Sequence, residues 1–317
     1  MKIIDHIKGA DRTLFSFEIL PPLKGENIGA IFRAIDPLME FNPPFIDVTY
    51  HREEFVYRDK GNGLLERKSI RKRPGTVAIC AAIQNKYKVD AVPHLICGGF
   101  SIEETENALI DLNFLGIDNV LVLRGDPMSS ETYFKPEPDG HEYASDLLQQ
   151  VAKMNRGEYL DDEVKNVIPT DFCAGVAGYP EKHYEAPNMT TDMKWLKHKV
   201  DLGAEFIVTQ MFFDNQAYFD FVKACRANGI DIPIIPGLKP LATKRQLTAL
   251  PHRFHIDIPE ALADEVTKCK DNKAVKQVGV EWAIQQSKEL VAGGAPVLHF
   301  YTMGRPDNIA QIAREVF

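Results

Sequence analysis

Several groups of residues in this chain combine types and spacings that could carry chemistry. Glu18 sits in the string FSFEILPP, among Phe15, Phe17, Ile19, Leu20, Pro21 and Pro22. A carboxyl group with such neighbours is partly desolvated, which pushes its pKa upward and suits a general acid. The same residue would serve equally well as half of an ion pair inside a folded core. In RGDP, Arg124 and Asp126 lie two positions apart at the end of an apolar run, and so on one side of a strand or turn. They could hold a phosphate and a polar ring, or pair with each other across the turn. In AGYPEKHYEAPNMTTDMKWLKHK, Asp192, Trp195 and Lys199 are three and four apart, which is one face of a helix. A carboxylate for a ribose and an ammonium for a phosphate suit a nucleotide; a solvated amphipathic helix with Trp195 turned inward is the plainer and favoured alternative. His51, Glu53, Glu54 and His94 are metal-capable by type, but no HxH, HExxH or other fixed-spacing pair accompanies them. A strand-end histidine is more often a hydrogen-bonding residue, and no metal site is expected.

Positioning such groups falls to regular elements. Short apolar runs begin at Phe15, Phe45, Val92, Asn119, Phe172, Phe206, Pro233 and Val297, and each reads as a strand buried on both faces. Helical patterns lie between them. Ser101 and Glu104 form a capping box ahead of Ala108, Leu109, Leu112 and Leu115, and Gly116 closes that helix. A second pattern from Asn215 carries Tyr218, Val222 and Cys225 and stops near Gly229; Val275, Val278 and Trp282 mark a final long helix ended by Gly293, Gly294 and Pro296. Alternating strands and helices predict a parallel α/β architecture, and eight strands predict a single (β/α)8 barrel domain over residues 1–317. A doubly wound nucleotide-binding sheet would carry GxGxxG after its first strand, and neither that string nor GxxxxGK[ST] occurs. In a barrel, chemistry occupies the C-terminal strand ends. Glu18, Thr49, His51, His94, Arg124, Asp126, Tyr179, Gln210, Lys239 and Arg305 all fall there. Two charged insertions, HREEFVYRDKGNGLLERKSIRKRPG after the second strand and MNRGEYLDDEVKNVIPTD before the fifth, read as surface excursions.

Composition narrows the partners. The 317 residues are 44% hydrophobic and 26% charged, an ordinary globular balance that excludes disordered and fibrous classes. Lys and Arg number 37 against 45 Asp and Glu, a net charge of −8 that argues against a dedicated nucleic-acid binder. No apolar run approaches the roughly 18 residues of a membrane span. MKIIDHIKGADR mixes acids into its apolar positions, so the expected location is the cytoplasm. Cys80, Cys97, Cys173, Cys225 and Cys269 form no CxxC, and four of them lie in apolar surroundings, which suits buried reduced thiols.

Taken in order, FSFEILPP, DVTYH, PHLIC, LVLRGDP, AGYPEKHYEAP, VTQMFFD, IIPGLKP and HFYTMGRP resemble the methylenetetrahydrofolate reductases over nearly the whole chain. The resemblance implies a stand-alone catalytic barrel of the bacterial type that binds FAD non-covalently. Its reaction would be reduction of 5,10-methylenetetrahydrofolate to 5-methyltetrahydrofolate by NADH or NADPH, supplying methyl groups for methionine synthesis. Nicotinamide and folate would take turns over one face of the flavin in a ping-pong scheme. Glu18 matches the catalytic acid, and Asp126 matches an aspartate near flavin and pterin. For FAD the similarity carries to Thr49, Tyr50, His94, Arg124, Gly125, Asp126, Tyr143, Ala144, Tyr179, His183, Ala186, Asp192 and Lys199. For folate it carries to Glu18, Asp126, Gln210, Gln246 and Arg305, the last as anchor of the glutamate tail. It also implies a homo-oligomer. The chain departs from the pattern at His51 and Arg52, where small residues occur, at Leu250, where an aromatic can stack on the substrate, and at His198, where a phosphate-binding arginine occurs. The rival readings are a flavin-free pterin-binding methyltransferase barrel, a metal-dependent aldolase-type barrel and a non-catalytic folate- or flavin-binding module.

Overall fold

A computed structural model describes residues 1–70, 73–128 and 131–317. The apolar runs form parallel strands: β1 (Leu14–Ile19), β2 (Phe45–Val48), β3 (Asp90–Ile96), β4 (Asn119–Leu123), β5 (Cys173–Gly178), β6 (Phe206–Thr209), β7 (Ile234–Ile235, resuming as Gly237–Leu238) and β8 (Val297–Tyr301). Each pairs with the next, and β1 pairs with both β2 and β8, so the sheet closes on itself. The seventh strand is broken by Pro236, which has no N–H to give a ladder. Its first half pairs with β6 and its second with β8, and the Pro236 carbonyl accepts from His299 N at 3.1 Å. The architecture is the (β/α)8 barrel that eight apolar runs predict.

Strand alternation divides the buried residues into two sets. Phe15, Phe17, Ile19, Ile46, Val48, Val120, Val122 and Val176 pack outward against helix residues such as Ile31, Ile83, Leu109 and Leu147. Phe45, Val92, Leu121, Cys173, Phe206, Val208, Ile235 and Val297 fill the axis, closed from below by Ile3 of the short helix Ile3–Gly9. That helix is pinned where Ile3 N donates to Asn119 Oδ1 at 2.8 Å and Asn119 Nδ2 donates to the Met1 carbonyl at 2.9 Å. Two residues further along several strands the inner face turns polar: Asp47 follows Phe45, His94 follows Val92, and His299 follows Val297. An apolar floor thus carries a polar upper layer at the C-terminal ends.

The helices begin and end where their sequences direct. Ser101 Oγ accepts from Glu104 N at 3.1 Å while Glu104 accepts from Ser101 N at 2.8 Å, the capping box of helix Ile102–Phe114. The patterns from Asn215 and Val275 form helices Asn215–Ala227 and Asn272–Ala292. The latter is not the final helix. Pro306–Val316 follows β8, with Pro306 at its first position and Ile309, Ala310, Ile312 and Ala313 buried. The insertion after β2 is more regular than its composition suggests: Glu54–Asp59 and Leu65–Ile70 pair as an antiparallel hairpin turned by Gly61 and Gly63, both at positive φ. Arg71 and Lys72 of the same insertion lie outside the described residues. The insertion before β5 continues from the helix Ala144–Met154 and, between Met154 and Cys173, is largely exposed and has neither helix nor strand. Cys80, Cys97, Cys173 and Cys225 are buried free thiols. Among the described residues, no helix is long and apolar enough to cross a membrane.

Axial packing leaves no spare volume at β5. A Cβ on Gly175 would lie 2.2 Å from the Phe206 ring, so this strand must be bare where the aromatic crosses the axis. Gly175→Ala is expected to destabilise the fold by about 1–3 kcal/mol through overpacking, seen as a lower urea midpoint. Adding Phe206→Leu should recover part of the loss, and a Gly175→Ala chain of unchanged midpoint would contradict this packing.

Candidate active site

The polar layer is built from side chains that strand pairing brings into register. Glu18 on β1 lies opposite Asp47 on one side and Tyr301 on the other. Its carboxyl side chain is only 13% exposed. Burial raises its pKa from 4.5 to about 7; the charge of Asp47 adds to the rise, while His94 and Lys239 oppose it. His94 Nε2 stands 4.0 Å from Glu18 Oε2 and 3.3 Å from Asp47 Oδ2. Lys239, just beyond β7, is itself buried, and desolvation lowers its pKa to about 8 against the pull of Glu18. Tyr301 donates its hydroxyl to the Thr209 carbonyl at 2.5 Å, and Thr302 Oγ1 donates to the Glu18 carbonyl at 2.7 Å. Gly237 makes room for this arrangement: a Cβ there would lie 2.3 Å from the Thr209 carbonyl and 2.4 Å from the Tyr301 hydroxyl.

Above this layer is a cavity of about 220 Å³ lined by Lys239, Thr243, Gln246, Tyr301, Arg305 and neighbours. Gln246 and Arg305 therefore share one hollow with Lys239 and Tyr301. Gln246 Oε1 already accepts from the amides of Ala242 and Thr243 at 2.7 and 3.0 Å, which leaves its amide nitrogen as the group to offer. Gln210 Oε1 similarly accepts from Met211 N at 3.0 Å. Leu250, on the buried face of the helix Gln246–Phe254, joins a satellite core with Met211, Phe213 and Leu262 rather than standing as a free apolar surface.

A second group gathers around the end of β5. Tyr179, Asp192 and Lys199 line one small hollow. Lys199 is half-buried, desolvation of its ammonium lowers its pKa to about 8, and the ammonium donates to the Ala177 carbonyl at 2.8 Å. Asp192 Oδ2 accepts from His183 N at 2.8 Å, tying the loop to the helix Met189–Asp201. The loop closes on itself through Ala186 N to the His183 carbonyl at 3.0 Å and a Tyr179–His183 ring contact at 4.7 Å. Trp195, favoured as an inward-packed residue on pattern alone, is 60% exposed; the helix buries Met193 and Leu196 and aims the Lys199 ammonium at the Ala177 carbonyl. Arg124 pairs with Glu185 at 2.6 Å and lies over Phe134. Gly125, at φ 88°, brings the backbone close to Ile96.

Other expected residues stand further out. Asp126 is 72% exposed on the rim, with Arg253 at 3.8 Å. Thr49 donates to the Ile19 carbonyl, and Tyr50 packs on Phe100 at 4.9 Å. Tyr143 is exposed immediately before the helix that begins at Ala144. Sequence reasoning passed over Asp47 and His299, although each is a polar residue inside an otherwise apolar strand and two positions beyond a buried partner, a signal that was available. It also missed Glu185, Tyr184 and Glu181, whose partners come from other loops. Among the described residues, no group of three or more His, Cys, Asp or Glu could hold a metal ion.

The family model described as methylenetetrahydrofolate reductase matches residues 2–316. "Methylenetetrahydrofolate reductase (NADH) 1" of Arabidopsis thaliana is 33% identical over 316 residues, covering 96% of this chain and 48% of that protein. "5,10-methylenetetrahydrofolate reductase" of Escherichia coli (strain K12) is 32% identical over 294 residues, covering 92% of this chain and 86% of that one. The chain thus spans about half the length of the plant relative and most of the bacterial one. In fold it is similar, at TM-score 0.59 and 15% identity over 99% of this chain and 98% of the other, to a protein from Clostridium thermocellum described as binding two copies of 5-methyl-5,6,7,8-tetrahydrofolic acid.

The raised proton affinity of Glu18 has a consequence for stability. In the unfolded chain its pKa returns to 4.5, so between there and about 7 the folded state keeps a proton that the unfolded state has lost. Stability from this group is fully present below the unfolded value and is lost as pH rises through the folded one. Glu18→Gln, neutral throughout, is expected to gain on wild type by roughly 3 kcal/mol between about pH 4 and pH 8. Urea unfolding at a series of pH values measures the difference, and one independent of pH would mean that Glu18 titrates as an ordinary carboxyl.

Proposed function

The chain belongs to the methylenetetrahydrofolate reductase family, and from that premise we propose that it reduces 5,10-methylenetetrahydrofolate to 5-methyltetrahydrofolate with NADH or NADPH, using non-covalently bound FAD. The observation that carries this reading is a carboxylic acid, Glu18, with a pKa of about 7 on the floor of the barrel mouth, beside a cavity of about 220 Å³ edged by Gln246 and Arg305. Such an acid keeps a proton on a large share of molecules near neutral pH and can deliver it to a folate nitrogen, opening the five-membered ring of the substrate.

The residues at the end of β5 fit a flavin dinucleotide. Lys199 is a desolvated ammonium with a depressed pKa facing a hollow that it shares with Asp192 and Tyr179, and an anion there would raise that pKa again. Lys199 and Arg124 would hold the pyrophosphate, with Arg124 exchanging Glu185 for it. Asp192 would meet the adenosine ribose through the oxygen not used by His183. Thr49, Tyr50, His94, Gly125, Asp126, Tyr143, Ala144, Tyr179, His183 and Ala186 would line the remainder. When bound, the flavin supplies hydride transfer between nicotinamide and folate, and the two substrates take turns at one mouth.

The chain's own residues bind, orient and move the proton. Gln210 and Gln246 would meet the pterin and aminobenzoate, and Arg305 the tail carboxylates by charge-assisted hydrogen bonds. Asp126 would lie near flavin and pterin from the rim. Leu250 contributes packing rather than a stacking ring. On this reading residues 1–317 act as one catalytic barrel in the cytoplasm, in a homo-oligomer that supplies methyl groups for methionine synthesis, with no nucleic-acid partner. The rival methyltransferase reading requires no flavin.

Separate measurement of the two half-reactions tests the role of the acid. Glu18→Gln is expected to slow folate reduction by about 10²–10⁴-fold while nicotinamide oxidation continues; equal slowing of both would remove Glu18 from the folate step. Arg305→Ala is expected to raise KM for folate by roughly tenfold or more with kcat nearly unchanged, since a tail contact is made equally in ground and transition states. A fall in kcat at constant KM would contradict that assignment.

A further inference from the structure

Keeping a proton on Glu18 near neutral pH is harder than its burial alone suggests, because His94 and Lys239 stand beside it and both favour the ionised form. One nitrogen, His94 Nε2, faces two carboxyl groups, with Asp47 Oδ2 at 3.3 Å and Glu18 Oε2 at 4.0 Å. A hydrogen on Nε2 cannot serve both, and only the shorter separation is a hydrogen bond. Asp47 is 1% exposed, lies directly opposite Glu18 in the strand register, and has a second oxygen, Oδ1, that is buried without a hydrogen-bond partner. A carboxyl group kept there is costly. Packing does not require it, since Phe45 fills the axis two positions below on the same strand.

We propose, on the reading that this protein reduces a folate, that Asp47 is a positioning residue: it engages the Nε2 hydrogen of His94, withholds it from Glu18, and so leaves Glu18 protonated for the substrate. The charge of Asp47 acts in the same direction, against ionisation of Glu18. The groups around Glu18 are Asp47 from β2, His94 from β3, Lys239 beyond β7 and Tyr301 from β8. Those around Asp47 are His94, Glu18, His299 and Tyr301 within the barrel, and Cys80 from the helix Thr76–Tyr87 outside it. His299 does not replace His94 in this role. Its Nδ1 is shared with Ser16 Oγ at 2.8 Å, its Nε2 is buried without a partner, and desolvation lowers its pKa.

The test is Asp47→Asn, of the same shape and without the charge. The pH window over which Glu18→Gln gains stability is measured in the wild-type and the Asp47→Asn backgrounds. Its upper edge is expected to fall by about one pH unit, a roughly tenfold loss of proton affinity at Glu18. The alkaline limb of the folate half-reaction should fall by the same amount, while the pH profile of the nicotinamide half-reaction stays in place. An unmoved window and limb would overturn the proposal, even in a variant that is less stable overall, because a purely structural role changes stability without changing the titration of Glu18. Because the amide of Asp47→Asn can still accept the Nε2 hydrogen, Asp47→Ala, which removes charge and acceptor together, must give at least as large a displacement, and it serves as the second variant should Asp47→Asn fail to fold. A wild-type protein that never passes hydride to folate would defeat the functional reading but leave the stability window as a test of Asp47.

Discussion

Everything at the open end of this barrel depends on a carboxyl group kept out of water. Closing eight strands abolishes sheet edges and dries the axis, so a charge placed there must be neutralised, paired or protonated. Glu18 takes the last course. Its burial is enforced from below by Phe45, Val92, Phe206 and Val297, which fill the axis, and from the sides by strand neighbours that are themselves polar. Removing the bare positions Gly175 and Gly237 would disturb this layer first, because their missing side chains are the space that Phe206 and Tyr301 occupy.

The mouth is held together by contacts between loops rather than within them. Tyr184 from the loop after β5 stacks on His255 at 4.5 Å, and Glu181 accepts from Asp257 N at 2.9 Å. Burial and the nearby Asp257 and Asp214 raise the Glu181 pKa to about 7. Arg124 joins the same assembly through Glu185 and Tyr184. Loops from β4, β5 and β7 thereby converge on the residues proposed to receive the flavin and the folate. These joints are partly exposed, and so are the parts of the mouth best able to move.

The barrel was legible because parallel strands covered on both faces leave near-continuous apolar runs, and eight such runs alternating with capped helices admit few other folds. The hairpin after β2 was not, because Tyr57, Leu64 and Leu65 are exposed there, and a charged, two-sided strand shows no apolar alternation. The helix Pro306–Val316 escaped notice because it starts only a few residues after β8, although Ile309, Ala310, Ile312 and Ala313 give it an apolar face. Glu18 was legible from its neighbours alone. Its partners were not: Asp47 and His94 are 47 positions apart and Ser16 and His299 are 283 apart, and only strand register brings them together. Lys199 was legible as a helix-face cation, but the direction of that face was misjudged, since a tryptophan beside a lysine ordinarily turns inward and here the lysine does.

The central claim is that Glu18 in the folded protein keeps its proton well above the ordinary glutamate range, up to a midpoint near pH 7. Infrared difference spectroscopy of wild type against Glu18→Gln, followed across pH, isolates the C=O stretch of this one carboxyl group. The account predicts a protonated-carboxyl band that is present at pH 6 and disappears with a midpoint near the value of about 7 set by its burial. A band already absent at pH 6, with a midpoint in the ordinary glutamate range, would contradict it.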